Sequence, residues 1–126
     1  VSTEPRTITL ATEDFGPVTL TCPAWCDGHA DHDPQAERAD ILHCGPDAVL
    51  AFHGVDLFTA CLVQSPYSTS TDPELGSRTP GVSVFPPART LTPVSLYSLA
   101  AALDGYADQL RGLADQLAGI LAGGAR

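Results

Sequence analysis

The chain has 126 residues, 44% of them hydrophobic, with 15 acidic side chains against 6 basic ones and a formal net charge of −9. That length is one domain, and that hydrophobic content excludes the disordered class. The charge excludes the clustered cations that hold a nucleic-acid backbone or an anionic membrane surface, so neither partner is expected. A core of this size is modest, and a bound metal or a second subunit would reinforce it.

No charged start followed by an apolar run marks a leader, and nothing approaches the ~18 apolar residues of a membrane span. The expectation is a cytoplasmic protein. Its four cysteines are then metal ligands or buried thiols rather than disulfides. Lysine and asparagine are absent while Ala, Gly, Pro and Asp abound, a skew that points to a GC-rich bacterial genome.

In chain order, Ile8 and Leu10 alternate with Thr7 and Thr9, and Val18, Leu20 and Cys22 repeat the period of two after a Gly16-Pro17 turn. Residues 6–22 are therefore predicted to form a β-hairpin. Residues 22–44 are acidic, rich in histidine and without apolar period, as expected of a loop. Residues 48–64 carry a second hairpin with its turn near His53-Gly54. Residues 65–81 are polar and rich in Pro, Ser and Gly, and are predicted to be a mobile loop. Residues 82–92 hold a fifth short strand, Val82 to Phe85, stopped by Pro86-Pro87.

The last segment is the most periodic. Thr92 is placed as the N-cap, with Pro93 at the first helical position, where its missing N–H costs nothing. The helix runs over residues 93–121 and stops at Gly123-Gly124. Leu96, Leu99, Leu103, Tyr106, Leu110, Leu113, Leu117 and Ile120 follow one another at spacings of 3 and 4. Such a helix is roughly 40 Å long at ~1.5 Å per residue, whereas a five-residue strand spans ~17 Å. Either the stripe covers the sheet of its own domain, or its C-terminal half overhangs and pairs with a second copy. Leu110 and Leu117 are expected nearest that partner, with Gly112 and Gly119 allowing close approach. The fold class is α+β: an antiparallel sheet of four or five strands, a zinc-bound loop and one long C-terminal helix.

One constellation has ligand spacing. Cys22-Pro-Ala-Trp-Cys26-Asp-Gly-His29 is followed by His32 and by His43-Cys44-Gly45. Two thiolates and two imidazoles make a tetrahedral zinc site, and a loop with no core of its own gains its order from the ion. The ligand set is Cys22, Cys26, His29 and His43, with His32 an alternative to His29 and Cys44 an alternative to His43. Asp27, Asp31, Asp33, Glu37 and Asp40 crowd the same loop, as a solvated turn or as acceptors for histidine N–H groups. Trp25 is placed as an apolar plug beside the ion, and Cys61 as a core residue.

These residues resemble a known family. Thr21 to His29, His43 to Pro46, Leu62 to Gln64 and Leu91 to Leu113 are similar to an uncharacterised small-domain family of actinobacteria, especially streptomycetes and their phages. The resemblance covers most of the chain and implies the cysteines and flanking histidines as the shared feature, with no function attached. This chain departs in having histidine at both 29 and 32.

The leading functional expectation is a zinc-stabilised, non-enzymatic module that forms a homodimer or meets a protein partner through its helix. A small zinc-dependent hydrolase is the alternative, with Asp31 or Glu37 as general base, but it needs an open coordination position. A nucleic-acid-binding zinc finger is the third reading, opposed by the acidic loop and by Asp104, Asp108 and Asp115 on the helix. A thiol redox role is weaker still, because the motif is not Cys-x-x-Cys.

Overall fold

The structure, a computed structural model, describes residues 6–72, 76–85 and 93–123, apart from the side chains at 95 and 96. Strands β1 (Arg6–Thr12) and β2 (Gly16–Cys22) pair antiparallel, with Arg6 opposite Cys22 and Leu10 opposite Val18. The alternation does what it predicts. Leu10 and Leu20 are buried against Ile41, while Thr9 and Thr19 hydrogen-bond across the exposed face at 2.9 Å.

Four further strands form a second sheet: β3 (His43–Cys44), β4 (Ala48–Phe52), β5 (Val55–Gln64) and β6 (Gly81–Phe85). Val63 pairs with Cys44 on one side and Gly81 on the other, and Ala60 pairs likewise with Ala48 and Val84. Both β3 and β4 therefore run along one edge of β5, interrupted at residues 45–47, and β6 takes the opposite edge. His53 and Gly54, at φ of 51° and 75°, close the β4–β5 hairpin. Positive φ at both central residues matches the right-handed twist of the flanking strands.

The α+β class and the long C-terminal helix are as the sequence indicates, but the strands are shared between two small sheets. The first hairpin joins the rest through residues 23–42 instead of through a strand ladder. Glu13 N–H donates to the Ala36 carbonyl at 3.0 Å, and Arg38 N–H to Asp14 Oδ1 at 2.8 Å. The Arg38 guanidinium lies 3.9 Å from the Phe15 ring centroid and 5.1 Å from that of Tyr67, joining the hairpin tip to the segment after β5. Within residues 65–81, Ser65 N–H donates to the Ser77 carbonyl and Arg78 Nε to the Ser68 carbonyl. Residues 73–75 of that segment lie outside the described residues, as do Pro86-Pro87, the Thr92 N-cap and Gly124.

Helix α1 (Pro93–Leu121) lies on the second sheet. Tyr106 is buried against Leu50 and Ala60, and its hydroxyl donates to the Ala48 carbonyl at 3.0 Å. Leu99, Ala102, Leu110 and Leu113 flank it. The far end of the stripe is covered differently. Ile120 is buried against Leu62 and Trp25, with Leu113 and Leu117 packed around them. Leu110 and Leu117, expected nearest a partner copy, are half-buried and pack against the chain's own core. Trp25 comes from the loop after β2, so that loop extends the platform on which the helix rests. Gly105, Gly112 and Gly119 lie on the exposed side with open space above them.

Candidate metal centre

Three pieces of backbone bring the cluster together. Cys22 is the last residue of β2, Cys26 and His29 lie in the turn that follows, and His43 opens β3. Their ligand atoms all lie within 4.8 Å of one another, a group that can hold a metal ion. Cys26 Sγ is 3.6 Å from His29 Nε2, and His29 Nε2 is 3.2 Å from His43 Nδ1. The cysteines and His43 are buried, and His29 is half-buried.

The turn is built to aim these side chains. Cys26 N–H donates to the Pro23 carbonyl at 3.0 Å, and Asp27 N–H to the Cys44 carbonyl at 2.8 Å, tying the turn to β3. Gly28 sits at φ +100°, where side chains carrying a Cβ are strained, and its N–H donates to Cys26 Sγ at 3.4 Å. Gly45 lets β3 close against the turn, since a Cβ there would meet the Trp25 carbonyl oxygen at 3.2 Å. Arg6 donates from its guanidinium to the Cys26 carbonyl at 2.6 Å. Sequence reading overlooked Arg6. The signal was the hairpin register, which sets it opposite Cys22.

Burial sets the protonation chemistry of the metal-free cluster. The Cys22 thiol is pushed up to about 11, first by burial and then by the neighbouring Cys26. His43 is held down to about 4 by burial and by His29, and His29 is lowered by burial and by His32. Cys22 is thus a neutral thiol and both imidazoles are neutral at pH 7. A divalent cation supplies the charge that lets buried thiols ionise.

The alternatives fall elsewhere. His32 Nε2 donates to the Ala11 carbonyl at 2.7 Å and so pins the loop to β1. Cys44 follows His43 on the same strand, and adjacent strand residues point to opposite faces, so only one of the two can join the cluster. Burial, with Cys26, Asp47 and Asp27 nearby, raises the Cys44 thiol. Cys61 is half-buried rather than central, and burial, Cys44 and a hydrogen bond to Asp47 push it up to about 11. Among the described residues no carboxylate of the loop hydrogen-bonds a ligand histidine. Asp27, Asp31, Asp33 and Asp40 instead line a cavity of about 450 Å³ beside His29.

Fold and cluster together define a small α+β domain organised around a two-cysteine, two-histidine group. Residues 7–119 match DUF6907, a domain of unknown function, and the chain belongs to that family. The match takes in every segment on which the sequence resemblance rests. No curated protein and no solved structure matches the chain. Among the described residues no helix is long and apolar enough to cross a membrane.

Proposed function

We propose that the domain is a zinc-stabilised, non-enzymatic protein-interaction module of the reducing cytoplasm, with Cys22, Cys26, His29 and His43 as the ligands. The observation that carries the reading is the spacing of the donor atoms. Tetrahedral zinc with Zn–S of ~2.3 Å and Zn–N of ~2.05 Å has edges of about 3.6 Å for S···N and about 3.3 Å for N···N. The corresponding separations here are 3.6 Å and 3.2 Å. Two thiolates with two imidazoles suit zinc, whereas calcium takes oxygen ligands. Four protein donors leave no position for a reacting water, which favours a structural ion over the hydrolase reading.

The ion's work in this reading is to hold Trp25. Trp25 lies between the two cysteines in sequence and packs against Ile120, so zinc orders both the loop and the helix contact. Protein purified without chelators should carry one zinc per chain, and Cys22→Ser or His43→Ala should lower metal content and melting temperature together. Metal-free protein of unchanged stability would contradict the reading.

A second copy or another protein then docks on the outer helix face, where Val94 and Tyr97 are 76% and 80% exposed on the same side as the open row of Gly105, Gly112 and Gly119. Light scattering over a concentration series tests the homodimer, with Tyr97→Glu expected to dissociate it. A one-chain mass at every concentration would leave only the heterologous partner.

A further inference from the structure

Three of the four clustered donors are closed off from solvent. Cys22 is 0%, His43 2% and Cys26 4% exposed, and His29 is the one ligand that is partly exposed. Two cavities flank the group, and they differ in kind. On the His43 side a cavity of about 390 Å³ is walled by Trp25, Pro66, Pro80, Ile120 and Leu121. Among the described residues no carboxylate or guanidinium lines it, and Thr21 and Gln64 are its uncharged polar groups, so a dication entering there would lose hydration without meeting a counter-charge. On the His29 side the cavity of about 450 Å³ is lined by Asp27, Asp31, Asp33 and Asp40, together with His32. Among the described residues no arginine lines it, and the two arginines nearest in sequence are engaged elsewhere, Arg6 on the Cys26 carbonyl and Arg38 on Phe15 and Tyr67.

Resting on the metal reading above, we propose that divalent cations reach and leave the cluster through this acid-lined cavity, with His29 as the ligand that opens. Carboxylates in a concave wall focus their field, concentrate cations at the mouth and repel anions. His29 lies in a turn outside the strands and is the half-buried member of the group, whereas Cys22 and His43 are fixed in β2 and β3. The four carboxylates do not coordinate the ion in its final place. They set the rate at which it arrives.

The test is stopped-flow binding of cobalt(II) to the metal-free protein, read at the thiolate-to-cobalt absorption, in ~10 mM salt, where the Debye length is ~30 Å. Asp31→Asn/Asp33→Asn/Asp40→Asn should slow association about tenfold, the low end of steering effects, and flatten its salt dependence. Asp56→Asn/Asp104→Asn/Asp115→Asn removes the same charge from remote exposed positions; it should slow association less than the first variant, and in ~0.15 M salt, where the Debye length is ~8 Å, it should leave the rate within about twofold. On the zinc-loaded proteins, removal of the ion by anionic EDTA should be faster in the first variant and unchanged in the second. Equal rates and salt slopes in all three proteins would overturn the route while leaving the metal site standing. Wild type that gives no cobalt–thiolate absorption would overturn the site itself.

Discussion

The sheet–helix half of the molecule and the loop of residues 23–42 are held by different forces. In the first, Leu50, Ala60, Leu62, Tyr106 and Ile120 are buried between two regular elements, and the packing needs nothing else. In the second, only Trp25, Cys26 and Ile41 are buried across twenty residues. Hydrophobic burial at about 25 cal/mol per Å² cannot offset the ordering of such a segment. In the proposed reading, four side chains around a metal ion do it instead. The halves meet at Trp25, which belongs to the loop by sequence and to the helix by contact. A metal in this small domain would therefore not sit beside the core but complete it.

Substitutions should separate the halves. Cys22→Ser strikes the loop, leaves an incomplete ligand set, and should lower the melting temperature by about 15 °C or more, with loss of metal. Tyr106→Ala strikes the helix and should cost about 3–5 kcal/mol while metal content stays at one ion per chain. Chelation should shift the emission of the single tryptophan to the red by releasing Trp25 from Ile120, whereas Tyr106→Ala should not. Loss of metal on Tyr106→Ala would show that the two halves do not separate.

pH gives an effect of intermediate size, with opposite signs at the two ends. His43 has a depressed folded-state pKa, so its contribution is present above the unfolded value near 6.5 and is lost as pH falls toward about 4. Fully lost, that is on the order of 3 kcal/mol. Cys22 is raised, so its contribution is present below about 9 and is lost as pH rises toward about 11. Metal-free protein should accordingly be most stable between about 6.5 and 9. With the ion bound the thiols are already ionised, and the alkaline loss should vanish. Thermal melts from pH 4 to 11, with and without chelator, check this. The smallest contrast is between two arginines. Arg6→Gln, at the Cys26 carbonyl, should cost about 1 kcal/mol. Arg111→Gln, which breaks only an exposed pair with Asp108, should stay below about 0.5 kcal/mol.

Much of this was legible in the residues, and the exceptions have physical reasons. The 3-4 spacing from Leu99 to Ile120 located the helix because period is a property of the chain alone. The cluster was legible for the same reason, since Cys22, Cys26 and His29 are close in sequence. The residues favour His43 but leave Cys44 open, because two adjacent strand residues differ only in which face they meet, and β3 is too short to show a period. His32 was ambiguous until Ala11, twenty-one residues away, was seen to accept its N–H. The overhang expected of the helix assumed that the sheet alone would cover it. Trp25 supplies the missing cover, and nothing in its neighbourhood in sequence announces a contact with residue 120.

Zinc-edge X-ray absorption on protein purified without chelators measures the centre most directly. A four-donor shell of two sulfurs at ~2.3 Å and two imidazole nitrogens at ~2.05 Å is expected, converting to a shell with one sulfur or to no bound zinc in Cys26→Ser. A shell with an oxygen donor in place of one imidazole, or an absence of zinc in protein that melts like the chelator-treated sample, would contradict it.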